Sequence, residues 1–108
     1  MTGPDVSIII AAWKSEGSLS RAVSSALATK DLGVEVVIVD DMSPDGTYAL
    51  AKRLAGDDPR IIADRLPVNC GPSAARNRAL ALATGRFIAV LDADDAFAPD
   101  RLSALVKH

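Results

Sequence analysis

Three aspartates, Asp92, Asp94 and Asp95, crowd the segment RFIAVLDADDAFAPDRL that runs from Arg86 to Leu102. Carboxylates this close repel one another unless a cation, a cluster of donors or open water relieves the charge. Hard divalent cations such as Mg²⁺ and Mn²⁺ favour oxygen ligands, with one or two protein carboxylates commonly joined by substrate phosphates. The Asp-x-Asp pair of Asp92 and Asp94 suits that chemistry. Asp94 or Asp95 can equally cap a turn or the following helix, as aspartate often does, so the spacing alone leaves both readings open.

A second acidic pair, Asp40 and Asp41, lies in VDDMSPDGT. An acid at the end of a buried strand can hydrogen-bond a ribose hydroxyl or a base N–H. Ser43, Pro44, Asp45 and Gly46 are all turn formers, so Asp41 is expected to face a ligand and Asp45 to shape the loop. The segment CGPSAARNR joins a Gly-Pro turn, a helix start and two arginines. Helix starts attract anions, and arginine forks onto phosphate or carboxylate. Residues two apart do not share a helix face, so at least one of Arg76 and Arg78 is expected on the solvated surface. Trp13, the single tryptophan, can stack on a nucleobase or pack half-buried against the core. Cys70 has no nearby Cys or His to complete a metal or catalytic set and reads as a reduced thiol.

These residues need elements to place them. Four apolar runs read as strands: Val6 to Ala12, Val34 to Val39, Arg60 to Ala63 and Phe87 to Leu91. The last has no polar alternation and is expected to be buried on both faces, with Asp92 to Asp95 at its carboxyl end. Leu19, Ala22, Val23, Ala26 and Leu27 follow the spacing of an amphipathic helix, with Ser15 or Ser18 as N-cap. A shorter helix is expected over Tyr48 to Leu54 with Gly56 near its stop, and another over Ser73 to Thr84, with Pro72 near its start and Gly85 at its end. Pro99 opens a last helix that runs to His108 without a stop signal, so the chain reads as truncated. Leu102, Leu105 and Val106 share one face of it, and without cover they would favour self-association.

Strand and helix alternating three times predicts an α/β domain with a mostly parallel sheet and helices on both faces. In such sheets ligands lie beyond the carboxyl ends of the strands. Trp13 and Lys14, Asp40 and Asp41, and Asp92 to Asp95 all follow strands and should converge there.

Composition narrows the partners. The chain has 108 residues, 49% hydrophobic and 24% charged, with a net charge of −2, which suits one globular domain and offers no basic field for nucleic acid. The apolar run from Ile8 to Trp13 is far shorter than the roughly 18 residues of a membrane span. The start MTGPDVS lacks the basic and apolar segments of a secretory signal, and one cysteine cannot form an internal disulfide, so a cytoplasmic location is expected. There is no G-x-x-x-x-G-K-[ST] and no G-x-G-x-x-G after the first strand. The lone His108 gives no Ser-His-Asp or Cys-His set within the chain.

Taken in order, VSIIIAAW, VVIVDDMSPDGT and NCGPSAARNRALALATGRFIAVLDADD resemble the nucleotide-binding half of family 2 glycosyltransferases, inverting enzymes of GT-A fold. The resemblance covers nearly the whole chain. It implies a Rossmann-like half-domain with a nucleoside diphosphate sugar, usually a UDP-sugar, across the strand ends. By the same resemblance Asp41 holds the base, and Ala11 and Trp13 line the nucleotide pocket. Arg76 lies beside that pocket with Asn77 next to it, Asp92 serves the ribose, and Asp94 is a ligand of Mn²⁺ or Mg²⁺.

Two departures stand out. Family members often carry Tyr-Asn where this chain has Trp13-Lys14. They also continue for roughly another domain half that carries the acceptor site and the general base. Residues 1–108 are therefore expected to form the donor-binding portion alone. The catalytic base is expected outside it, with Asp95 a remote candidate inside. The implied parent transfers a hexosyl or N-acetylhexosaminyl group with inversion to a saccharide or lipid-linked acceptor, in bacterial polysaccharide synthesis at the cytoplasmic face of the membrane. The rival readings are a non-catalytic nucleotide- or metal-binding α/β domain and a phosphate-receiver domain. A receiver needs an acid pair after its first strand, where this chain has Ala11-Ala12-Trp13.

Overall fold

The computed structural model describes residues 3–29 and 31–94. Seven elements alternate along the chain: β1 (Val6–Ala12), α1 (Leu19–Leu27), β2 (Val34–Asp40), α2 (Thr47–Asp57), β3 (Ile61–Arg65), α3 (Pro72–Leu82) and β4 (Phe87–Val90). The strands form one sheet in the order β3-β2-β1-β4, and every pairing is parallel. The expected α/β architecture is therefore present. The helix expected from Pro99 lies outside the described residues.

The period-2 alternation of the strands divides the core in two. Ile8, Ile10, Val36 and Ile38 face α1 and α2, packing with Leu19, Ala22, Val23, Ala26 and Ala51. Ile9, Val37 and Val39 face the other way and meet Ala75 and Ala79 of α3. Helices thus cover both faces of the sheet. Small alanines on α3 let its backbone come close to the strands, and the β-branched residues of β1 and β2 fill both layers.

Four local expectations are corrected. Phe87, Ile88 and Val90 are 45%, 44% and 52% exposed, so β4 is not buried on both faces. It is an edge strand, paired only with β1 among the described residues. Neither serine caps α1 with its side chain: Ser15 Oγ donates to the Trp13 carbonyl and Ser18 Oγ to the Ala93 carbonyl at 2.9 Å. The helix start is held by the Ser15 carbonyl instead, which accepts from Ser18 N and Leu19 N. Gly56 lies inside α2, which continues to Asp57. Gly85 does not end α3, which stops at Leu82.

Gly85 has a different reason to be glycine. A Cβ there would stand 2.6 Å from Ser7 N and 2.8 Å from Val6 C, both backbone atoms of β1. Its N–H donates to Ser7 Oγ at 2.8 Å, and Ser7 Oγ donates to Glu35. Glu35 also accepts from Thr84 N and Thr84 Oγ1, each at 2.9 Å. This cluster clamps the α3–β4 connection to the amino end of the sheet, opposite the loops that leave the carboxyl ends of the strands.

Candidate functional site

The chain travels outward from β1 to β2 to β3, then returns by way of α3 to place β4 on the other side of β1. Strand order therefore reverses between β1 and β4. The connection leaving β1 passes over one face and the connection arriving at β4 over the other, which opens a crevice at the carboxyl ends.

Alternation decides what each neighbouring aspartate does. Asp40 points to the α1/α2 face and Asp41 to the α3 face, as Ile38 and Val39 do before them. Asp40 is fully buried, and its Oδ2 accepts from Ser43 N at 2.9 Å and from Arg65 Nε at 3.1 Å. Arg65 also donates to the Ser43 carbonyl at 2.8 Å. Among the described residues, Oδ1 of Asp40 has no hydrogen-bond partner. Burial pushes the Asp40 carboxyl above its ordinary range, against the opposing pull of the Ser43 N–H and of Arg65.

That direction sets a sign for stability. A carboxyl whose pKa rises on folding binds its proton more tightly in the native state, so its favourable contribution is complete below 3.8 and is lost as pH rises through the raised value. Asp40→Asn removes that titration. The stability of the wild type relative to Asp40→Asn should therefore increase as pH falls toward 3.8 and level off below it, as thermal unfolding of both across pH 3–7 would reveal. A difference constant with pH, or one growing in the opposite direction, would contradict the assignment.

Asp41 organises the other face. It is buried, its own N–H donates to the Ala12 carbonyl at 2.9 Å, and its carboxylate accepts from Cys70 N at 2.8 Å and Gly71 N at 2.9 Å. Asn69 Nδ2 adds bonds to the Asp41 carbonyl at 2.9 Å and to its Oδ2 at 3.2 Å. Helix α3 has no side-chain cap from its own N-cap residue, Gly71, whose φ of 93° suits glycine alone. A carboxylate some thirty residues earlier in sequence takes up the amides entering the helix, where negative charge also meets the favourable end of the helix dipole.

The loop after β1 is fastened to the loop after β2 by a hydroxyl relay. Ser43 Oγ and Thr47 Oγ1 both donate to Asp45 Oδ1, at 2.6 and 2.5 Å. Their lone pairs then accept Lys14 N and Ser15 N, each at 2.9 Å. Bonds from the Ser43 and Thr47 hydroxyls and the Thr47 N–H hold the Asp45 carboxyl below its ordinary range. Asp45 thus shapes not only its own turn but the neighbouring loop.

Between these loops lies a cavity of about 300 Å³ lined by Ala11, Ala12, Trp13, Asp41, Asn69, Gly71 and Pro72. Trp13 is 48% exposed, so it is no core residue. Ala11, Trp13 and Asp41 of the expected site meet here. Arg76, half-buried, and Asn77, exposed, lie in the first turns of α3 and are not among the lining residues. Arg78 instead pairs with Asp64 at 2.7 Å on the surface. Asp92 and Asp94 are exposed just past β4, whose ladder ends with Leu91 N donating to the Ile9 carbonyl. They flank the crevice without lining the cavity. Asp95 lies outside the described residues. Ala12, Asn69, Gly71 and Pro72 also line the cavity, and a Gly-Pro turn just before a helix is the only local signal the last three carry in sequence.

Fold and site together define an α/β domain with a parallel sheet, helices on both faces and a candidate ligand cavity at the carboxyl ends of the strands. The family model for glycosyl transferase family 2 matches residues 7–108, and the chain belongs to that family. It is similar to the succinoglycan biosynthesis protein ExoO of Rhizobium meliloti (strain 1021), with 46% identity over 105 residues, 97% of this chain and 30% of that protein. Among solved structures it resembles residues 1–349 of S. aureus TarS in complex with UDP-GlcNAc. The TM-score is 0.83 at 30% identity, covering 95% of this chain and 30% of that one. It also resembles the mannosyltransferase PcManGT from Pyrobaculum calidifontis in complex with GDP-Man and Mn²⁺. There the TM-score is 0.86 at 29% identity, covering 96% of this chain and 32% of that one. The chain spans about a third of the length of these relatives. Among the described residues no helix is long and apolar enough to cross a membrane.

Proposed function

We propose that residues 1–108 form the donor-binding portion of an inverting glycosyltransferase and take a UDP-sugar, with the base in the cavity between Trp13 and Asp41. One observation carries the reading: a buried carboxylate, an exposed indole and the amide-rich start of α3 converge on one cavity at the carboxyl end of a parallel sheet. The indole offers a stacking face and the carboxylate region an acceptor for a base N–H. The likeness to ExoO and to TarS with UDP-GlcNAc supports a UDP-sugar donor and a place in polysaccharide synthesis.

Asp92 and Asp94 fit a hard divalent cation such as Mn²⁺ or Mg²⁺. Both are exposed carboxylates at one strand end, and diphosphate oxygens would complete their ligand set. When bound, such an ion supplies Lewis-acid stabilisation of the departing diphosphate. The chain's own residues bind the nucleoside and orient the diphosphate across the crevice. Deprotonation of the acceptor requires a base on the opposite face of the sugar, and every site residue named here lies on the nucleotide side. The portion alone is therefore expected to bind donor without efficient transfer.

The test is calorimetric titration of UDP and ADP with and without Mn²⁺, using wild type and Asp94→Ala. UDP should bind more tightly than ADP. Mn²⁺ should strengthen UDP binding by about tenfold or more, consistent with a few kcal/mol of charge stabilisation, and Asp94→Ala should lose that gain while unfolding at the wild-type temperature. Equal Mn²⁺ enhancement in Asp94→Ala would remove Asp94 from the metal site, and indifference between UDP and ADP would remove the uridine reading.

A further inference from the structure

Lys14 directly follows Trp13 and has a backbone φ of 50°, in the left-handed region. Asparagine and aspartate enter that region far more readily than lysine, and such strain persists only where surrounding bonds enforce it. Here they do. Lys14 N donates to Ser43 Oγ and Ser15 N to Thr47 Oγ1, and both hydroxyls are anchored on Asp45. Two successive peptide groups are thus pinned to the loop after β2.

The Lys14 ammonium lies 4.5 Å from the centroid of the Trp13 ring. None of the three ion pairs among the described residues includes Lys14. Trp13 is half exposed and lines the cavity, so without a contact on its outer face it would be free to sample other rotamers. An indole has two faces. A cation seated on one leaves the other for a ligand.

We propose that Lys14 is a positioning residue for nucleoside recognition: it covers one face of the Trp13 ring and thereby presents the opposite face to the base. This rests on the donor-binding reading above and adds to it a residue that does not line the cavity. The ammonium acts through the ring, so its contribution belongs to the nucleoside and not to the phosphates. Pre-ordering the ring spares the ligand the entropy of ordering it.

The single tryptophan makes the test direct, because all indole emission comes from Trp13. Uridine, UDP and pyrophosphate are titrated against the wild-type chain, Lys14→Met, Lys14→Asn and Lys14→Arg, following emission for the nucleosides and heat for pyrophosphate. Lys14→Met and Lys14→Asn should weaken uridine and UDP by the same factor, about three- to tenfold, with pyrophosphate unchanged. Lys14→Arg should stay within about twofold of wild type, since a guanidinium also sits on an aromatic face. Lys14→Asn should meanwhile unfold no earlier than wild type, because asparagine relaxes the backbone strain. Without ligand, Lys14→Met should show stronger acrylamide quenching and lower anisotropy of Trp13. A loss confined to UDP with uridine unaffected would make Lys14 a phosphate contact and overturn the proposal, as would unchanged affinities in Lys14→Met. Failure of the wild type itself to bind uridine or UDP would instead overturn the donor reading. The ligand-free quenching comparison would still decide whether Lys14 holds the ring.

Discussion

Asp41→Ala is expected to abolish measurable binding of UDP and to lower the stability of the domain by roughly 2–4 kcal/mol, because two part-buried amides each lose a charged acceptor. Those amides are Cys70 N and Gly71 N, 2.8 and 2.9 Å from the carboxylate oxygens. No side chain of α3's own N-cap residue can replace them, since that residue is Gly71. The segment from Asn69 to Pro72 lines the cavity, so loosening it removes a wall of the site along with an acceptor facing it.

Asp41→Asn is the sharper variant. An amide offers one acceptor oxygen, and its NH₂ would confront an N–H of Cys70 or Gly71, a mismatch worth about 1–3 kcal/mol. Affinity should fall further for UDP than for pyrophosphate, since only the nucleoside meets this wall. Asn69→Ala removes only the outer bonds to Asp41 and should cost about 1 kcal/mol. Urea unfolding and calorimetry on the three variants would check the order. Equal losses for UDP and pyrophosphate in Asp41→Asn would confine Asp41 to holding the loop.

Gly85→Ala should have the largest effect on folding of any conservative change considered. Its methyl would lie 2.6 Å from Ser7 N, 2.7 Å from Ser7 Oγ and 2.8 Å from Val6 C. β1 is a central strand, bonded on both sides to β2 and β4, so its backbone cannot move aside without breaking a ladder. A loss at or above the top of the usual overpacking range, about 3 kcal/mol, is expected. For a domain of this size that lowers the melting temperature by upwards of about 10 °C. Gly56→Ala is the matched control. It lies inside α2 with nothing within 4 Å of the added methyl, so it should raise stability by about 0.5–1 kcal/mol. Differential scanning calorimetry of both variants separates steric conflict from helix propensity. A Gly85→Ala protein melting within a degree of wild type would show that the β1–β4 junction relaxes.

The asymmetry between those two glycines marks the boundary between local and non-local information. The spacing of Leu19, Ala22, Val23, Ala26 and Leu27 indicated α1, though not which residue opens it, and the β-branched runs indicated β1 and the core of β2, because side-chain periodicity is a property of neighbours in sequence. The alternation of elements determined a parallel sheet with helices on both faces. It also placed Trp13, Asp41 and the Asp-x-Asp pair at strand ends.

Only the tertiary structure decided which of those strand ends share a cavity. Residues 69–72 join Ala11, Trp13 and Asp41 because the face of β2 carrying Asp41 is the face covered by α3, a relation between segments about thirty residues apart. The same holds for β4. Its composition matches that of a buried strand, yet among the described residues it stands at the edge of the order β3-β2-β1-β4, and Phe87, Ile88 and Val90 are exposed. Ser15 and Ser18 have the chemistry of helix caps, but their hydroxyls are turned to the Trp13 and Ala93 carbonyls instead. Hydroxyls, carboxylates and edge strands take their roles from whatever lies opposite them, and folding alone brings that partner into place.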